Sequence, residues 1–255
     1  MVKEINYLTE LKVLIIASEP SGDKLGANLV DGLLNEVQGK MHLVFHGVGG
    51  PLMKKKGVIS FYEFDDLAVM GFTEVVPRLP KIFKIIKQIA KYALAWKPDL
   101  IITIDSPDFT LKVSRLIKNA WPDAKTIHYV APSVWAWRSY RAKKMAKFID
   151  HVLAILPFEP PYMEKEGMSC DFVGHPIVSE KVPTNQAISL FRSSLNLDRE
   201  SPMVAILPGS RKSEIKRMLP IYIKMMEIIS IKYQNLVFVI PSNKNVSQLS
   251  PHLHF

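Results

Sequence analysis

A single cysteine, Cys170, stands in 255 residues, so no internal disulfide can form and the chain suits a reducing compartment. Long uninterrupted apolar runs are scarce too. Residues 1–11 carry Lys3, Glu4 and Glu10, which leads to the expectation of no secretory signal, no transmembrane helix and a cytoplasmic protein. The seven histidines show no spacing of a closed metal site, so no metal is expected; His252 and His254 sit in a terminal tail and are expected to be solvated. No internal repeat or low-complexity tract is visible. What the chain has in excess is positive charge. A formal charge of +9 with a pI near 9.4 favours an anionic partner: nucleic acid, a phosphorylated metabolite or an anionic membrane surface. A hydrophobic share of 48% and mean hydropathy of +0.09 exclude a disordered chain, and the length fits one large α/β domain or two smaller ones.

Short apolar runs alternate with turn clusters and helical periodicity. Residues 12–17 (Lys-Val-Leu-Ile-Ile-Ala) read as a strand, 18–23 as a loop, and Leu25, Leu29, Leu33 and Leu34 mark a helix. The same unit recurs at 43–48, 100–104 and 126–130, with a further strand at 151–156. Strands buried on both faces and alternating with helices predict a doubly wound parallel sheet, in which ligands bind beyond the carboxyl ends of the strands. The pattern breaks around Gly174-His175-Pro176. A second domain is expected beyond it, with strands at 203–207 and 236–240 and a helix over 212–232, too little for an independent nucleotide-binding domain.

The chemistry-bearing residues cluster at the predicted strand ends. Asp105 follows the strand 101–104 and can serve as a general base; Asp108 competes for that role, and either can instead cap the next helix. Ser21-Gly22-Asp23 precedes a helix and can bind a phosphate or sugar through backbone N–H groups, or simply turn the chain. Gly209-Ser210-Arg211, between a strand and a helix, makes a stronger diphosphate cradle, though it lacks the Walker lysine. The run from His128 to Arg138 concentrates imidazole, hydroxyl, indole and guanidinium groups. Trp135 and Trp137 lie two apart, so on extended chain both point one way and form either a stacking wall or a core plug. His128 and His175 suit either substrate contact or a structural hydrogen bond. Residues 72–92 form an amphipathic stripe through Val75, Val76, Leu79, Ile82, Phe83, Ile86, Ile89 and Ala90, with Lys81, Lys84, Lys87 and Lys91 around the other side. The helix should start near Pro80, packed on a core or resting on an anionic lipid surface. Dispersed basic residues and the lack of a nucleic-acid motif argue against nucleic acid.

Eight ordered segments together resemble one known family. They are Glu19-Pro20-Ser21-Gly22-Asp23, Gly47-Val48-Gly49-Gly50-Pro51, Leu67-Ala68-Val69-Met70-Gly71, Ile104-Asp105-Ser106-Pro107-Asp108-Phe109, the run 128–138, Leu156-Pro157-Phe158-Glu159, Gly174-His175-Pro176 and 207–211. The chain is similar to lipid-A-disaccharide synthases, inverting glycosyltransferases of the two-domain GT-B type, from about residue 12 to 241. The Ser-Val-Trp-Ala-Trp-Arg run is the most specific of the matches.

The resemblance implies a GT-B-like α/β fold with a Rossmann-type parallel-sheet domain over 1–178 on the acceptor side. An incomplete second Rossmann-like, UDP-sugar domain would occupy 179–255. It implies transfer from UDP-2,3-diacylglucosamine to 2,3-diacylglucosamine 1-phosphate with release of UDP; the UDP-sugar is a substrate, and no cofactor is expected. It implies Asp105 as general base, substrate contacts from Glu19, Ser21, Asp23, His128, Ser133, Trp135, Arg138 and His175, and donor diphosphate contacts from Gly209, Ser210 and Arg211. An apolar membrane-facing patch would include Phe72, Val75, Val76, Leu79, Ile82 and Phe83, on the cytoplasmic face of the inner membrane. Two departures stand out. Ser18 replaces a glycine usual in the first loop, and the region that holds the uridine nucleotide has no counterpart. A complementing C-terminal fragment or a homodimer are the expected protein partners, and a noncatalytic lipid-binding module is the alternative to an active enzyme.

Overall fold

Residues 13–17 are apolar throughout, and β1 (Glu10–Ala17) buries all of them because it runs through the middle of a parallel sheet. The computed structural model describes residues 9–38, 40–62, 79–136, 139–180, 182–209 and 212–241. They fall into two compact units, divided between residues 180 and 181.

The first unit threads β1, α1 (Pro20–Glu36), β2 (His42–Val48), α2 (Pro51–Lys55), β3 (Ile59–Ser60), α3 (Leu79–Trp96), β4 (Leu100–Ile104) and α4 (Pro107–Ala120). It continues through β5 (Thr126–Tyr129), α5 (Tyr140–Met145), β6 (His151–Ala154), α6 (Pro160–Glu164), β7 (Ser169–Phe172) and a 3-10 turn at Pro176–Ser179. The seven strands are ordered β3-β2-β1-β4-β5-β6-β7, and every pairing is parallel. Alternation along β1 sends Leu14 and Ile16 to one face and Val13, Ile15 and Ala17 to the other. Helices cover both. Ile86, Ile89 and Ala93 of α3 with Val113 and Ile117 of α4 pack on the first face, and Ala27 and Val30 of α1 on the second. Each fully buried Leu or Ile contributes about 1.5–3 kcal/mol, so the central strands carry much of the stability.

Several elements differ from the sequence reading for local reasons. Helix α1 begins at Pro20, whose fixed φ suits a first helical position, so residues 20–23 are its first turn and not a loop. The amphipathic helix α3 begins at Leu79 and runs to Trp96; it buries Ile85, absent from the expected stripe, and leaves Phe83 45% exposed on the lysine side. Val75 and Val76 lie outside the described residues. Strands β3 and β7 carry no continuous apolar run, since β3 has two residues and β7 buries only Cys170. Burial, then the carboxylates of Glu164, Glu159 and Asp171, pushes the Cys170 thiol up to about 11, which leaves it an inert packing group. No described helix is long and apolar enough to cross a membrane.

The second unit contains α7 (Asn185–Ser194), β8 (Met203–Ala205), α8 (Lys212–Lys232) and β9 (Val237–Val239). Strands β8 and β9 pair in parallel, and Ile206, Ile215, Leu219 and Ile240 form its small core. Helix α8 passes through Pro220 without stopping.

Gly47 shows how tightly the first sheet is drawn. It pairs with Ile15, adopts φ +153°, and a Cβ added there would lie 1.8 Å from the Ile15 carbonyl oxygen. The clash is with backbone, which cannot swing aside. Gly47→Ala is therefore expected to cost at least about 4 kcal/mol; urea denaturation followed by circular dichroism would check this, and a near-normal midpoint would contradict it.

Candidate active site

Strands β1 and β4 are neighbours, yet the chain leaves them in opposite directions, towards β2 and β3 from one and towards β5, β6 and β7 from the other. Such a reversal opens a crevice beyond the carboxyl ends. The register sets Ala17 beside Ile104, so Ser18-Glu19 and Asp105-Ser106 enter that crevice side by side.

Asp105 and Ser106 both take left-handed backbone conformations, at φ +49° and +44°. Non-glycine residues there cost on the order of 1–3 kcal/mol each, so the surroundings must hold them. Asp105 N–H donates to the Tyr129 carbonyl at 2.9 Å. The buried Thr110 hydroxyl reaches the Asp105 carbonyl at 2.6 Å and the Ser106 carbonyl at 3.1 Å. The result is a rigid elbow with Asp105 half-buried at its tip. Ser106 is the N-cap of α4 and makes no side-chain cap bond, so the capping alternative holds for neither aspartate. Asp108 sits in the first turn, its side chain 87% exposed, 3.4 Å from Arg141.

On the other side of the crevice, Glu19 is the half-buried N-cap of α1, without a side-chain cap bond, and Ser21 is exposed. Asp23 departs from its expected substrate role. Its carboxylate is buried and accepts from the backbone N–H groups of Gly50, Leu52 and Met53 at 2.9–3.0 Å. It caps α2 from outside that helix, in place of Gly50, which has no side chain to do so.

The aromatic run divides into a buried and an exposed part. His128 does not face the crevice: it is fully buried, with Nδ1 2.9 Å from Thr103 Oγ1. That hydroxyl donates to the Ile127 carbonyl at 3.2 Å, so His128 Nδ1–H donates to it, and Nε2 is a buried acceptor without a partner among the described residues. Substrate contact is corrected here to a structural bond between β4 and β5. Val130, at φ +77°, turns the chain out of the sheet. Beyond it Ser133 is exposed, Val134 is buried, and Trp135 is 42% exposed and set edge-on to Phe158 at 5.1 Å. Trp137 and Arg138 lie outside the described residues, so no two-tryptophan wall is described. His175 is exposed, with Nδ1 accepting from Ile177 N–H at 3.2 Å as an N-cap.

Sequence reasoning missed Thr103 and Thr110, which carry no motif, and Glu159, whose buried carboxylate accepts from the Ile155 and Leu156 N–H groups at 3.2 and 3.0 Å. In the second unit Gly209 takes φ +110°, where a Cβ would crowd the Glu214 side chain at 2.7 Å. The glycine leaves the backbone bare ahead of α8. Ser210 and Arg211 lie outside the described residues, as do Phe72, Val75 and Val76. Among the described residues no group of His, Cys, Asp and Glu could hold a metal ion.

Burial lowers the His128 pKa from 6.5 to about 4, against an opposing hydrogen bond to the Thr103 backbone. The folded value lies below the unfolded one, so its contribution to stability is complete above pH 6.5 and drains away as pH falls towards 4. The full swing is about 3 kcal/mol. Urea midpoints measured from pH 7.5 to 4.5 should fall more steeply for the parent chain than for His128→Leu; identical slopes would contradict this assignment.

The profile of the family described as lipid-A-disaccharide synthetase matches residues 13–250. The lipid-A-disaccharide synthase of Ruegeria pomeroyi is 47% identical over 234 residues, covering 91% of this chain and 56% of the relative. That of Idiomarina loihiensis is 42% identical over 252 residues, covering 95% and 65%. This chain thus spans 56 to 65% of the length of these relatives. Among solved structures, the UDP-GlcNAc 2-epimerase of Neisseria meningitidis bound to UDP-GlcNAc aligns with a TM-score of 0.63 at 13% identity, over 97% of this chain and 71% of that one. The OtsA apo structure aligns at 0.52 and 11%, over 95% and 67%. These likenesses concern the fold, an α/β fold with GT-B-like neighbours. By the family profile and the relatives, the chain belongs to the lipid-A-disaccharide synthase family of glycosyltransferases of lipid A biosynthesis.

Proposed function

We propose that this chain supplies the acceptor-side domain and part of the donor domain for glycosyl transfer from UDP-2,3-diacylglucosamine to 2,3-diacylglucosamine 1-phosphate. The observation that carries the reading is the left-handed elbow at Asp105, strained and held at the crevice where the sheet order reverses. Asp105 takes the proton of the acceptor 6-hydroxyl as that oxygen attacks the anomeric carbon of the donor. The bond to UDP breaks on the opposite face, the configuration inverts, and the electron pair leaves on the diphosphate. Arg211, after Gly209 and Ser210, neutralises that leaving charge. Glu19, Ser21, Ser133 and Trp135 contact the acceptor in this reading, with Arg138 following in the same run. The acceptor-side domain is residues 1–178 and the donor portion 179–255.

The substrates are amphiphilic anions, so the protein works at an anionic bilayer from the cytoplasmic side. The outer face of α3 supports this: Phe83, Lys84, Lys87, Gln88 and Lys91 line an open groove of about 340 Å³. Lys112 lies 5.1 Å from the Phe83 ring and adds to the charge. Co-sedimentation with phosphatidylglycerol liposomes should be salt-sensitive and should weaken when Lys84, Lys87 and Lys91 are changed to glutamine. Binding unaffected by those changes would move the membrane contact elsewhere.

Turnover of radiolabelled donor tests the chemistry, with the chain alone and with the remaining part of a family donor domain supplied. Loss of a general base costs typically 10²–10⁴-fold, so Asp105→Asn is expected to lower kcat by about that factor. Equal turnover by both forms would remove Asp105 from the mechanism. Liposome binding with no turnover under either condition would favour the noncatalytic lipid-binding module.

A further inference from the structure

From the last residue of the aromatic run onward, the chain carries Arg138, Arg141, Lys143, Lys144 and Lys147 with no acidic residue among them. Two of these cations, Arg141 and Lys144, line a pocket of about 90 Å³ with Asp108, Leu111, Met145 and Phe148. Its floor is fixed, because Met145 and Phe148 are buried in the cluster under β6 and Leu111 packs against it. Its rim is charged. The two cations are one turn apart on α5, and Lys144 Nζ rests 4.7 Å from the Tyr140 ring.

Three observations make this an anion pocket and not a solvated basic face. The volume is well below the roughly 300–1,000 Å³ of a site that encloses a whole small molecule, so it fits one compact group. Asp108 already places an anionic oxygen 3.4 Å from Arg141, showing that the guanidinium is aimed at a position where a negative group sits. That carboxylate is 87% exposed, and exposed pairs are worth about 1 kcal/mol or less, so a doubly charged ligand can displace it. The start of α4, fourteen residues long and without a side-chain cap, adds favourable dipole from the same side.

We propose that this pocket is a phosphomonoester subsite which holds the 1-phosphate of the acceptor sugar. The second half of that statement rests on the function proposed above. Asp108 belongs to the first turn of α4 and Asp105 directly precedes its N-cap, Ser106, so the pocket and the proposed base are carried by one helix start. Phosphate capture then orients the acceptor, and Asp108 keeps the pocket occupied until the acceptor arrives.

Amide spectra of the ¹⁵N-labelled full chain, titrated with glucosamine 1-phosphate, test the subsite without any need for turnover. Saturable shifts are expected within residues 107–111 and 141–148, with none on adding glucosamine. The double change Arg141→Gln and Lys144→Gln should weaken the Kd at least tenfold while the thermal midpoint stays put. Asp108→Asn removes the competing carboxylate and should tighten binding several-fold, an effect that misfolding cannot mimic. Unchanged affinity in the double variant, or weaker binding in Asp108→Asn, would overturn the proposal. So would the same shifts with phosphatidylglycerol vesicles and none with the sugar phosphate, which would mark the pocket as a headgroup contact. Loss of turnover with phosphate binding intact would sink the transferase reading alone, whereas turnover without phosphate binding would sink only the subsite.

Discussion

The parallel pairing of β1 with β4 is the constraint on which the site depends. Five residue pairs align from Val13 beside Leu100 to Ala17 beside Ile104, and apart from the partly buried Leu100 their apolar side chains are buried. Sliding either strand by one residue would exchange the two faces, so the register is fixed by burial on both. Both strands therefore end level. Since α1 packs on one face and α4 on the other, the chain after β1 and the chain after β4 must diverge, leaving Glu19 and Asp105 on opposite sides of a gap. The crevice is a product of core packing before any loop residue is considered.

What the loop residues add is rigidity at one point. The elbow of Asp105 and Ser106 is unfavourable on its own and is held from two directions, by the Tyr129 carbonyl at the end of β5 and by the Thr110 hydroxyl in the second turn of α4. Strand β5 is in turn locked to β4 by the bond between His128 and Thr103. The aromatic run thus acts at two levels. Its first residues are part of the support under Asp105, and of its later ones Ser133 and Trp135 reach solvent while Val134 is buried between them.

The α/β alternation was legible because burial on both faces writes a continuous apolar run for β1 and β4, and because the leucines of α1 repeat at helical spacing. Helix α8 was legible from end to end in spite of Pro220. Edge strands were not: β7 buries one residue of four, and nothing in its sequence separates it from a turn. Side-chain roles failed where two distant segments meet. A sequence places Asp23 beside Gly22 but cannot show that three backbone N–H groups from residues 50–53 converge on it. It places His128 in a run of site-like residues, yet β-strand alternation turns that one side chain inward, towards Thr103 and the α3 and α4 side of the sheet. The left-handed elbow is invisible as well, since Asp and Ser carry no mark of positive φ as glycine does.

Positive charge on the first unit serves two different geometries. The α3 groove is wide and open and has an exposed phenylalanine among its lysines, whereas the α5 pocket is small, floored by buried side chains and rimmed by two cations. An acylated sugar phosphate requires both kinds of surface. Each methylene moved from lipid into water costs about 0.8 kcal/mol, so drawing even one ten-carbon chain out of the bilayer would cost on the order of 8 kcal/mol. An enzyme for such a substrate gains by leaving the chains in the bilayer and reading only the headgroup. A broad basic face brings the protein to the lipid surface but cannot choose among anionic lipids, because its charges are spread and exposed. Choice requires a small pocket that fits one phosphate, carried on the same element as the group proposed to take the proton. The elbow at Asp105 and the pocket at Arg141 and Lys144 share α4 as their common rigid element, so under the proposed function a substrate anchored in a fluid membrane would meet fixed geometry.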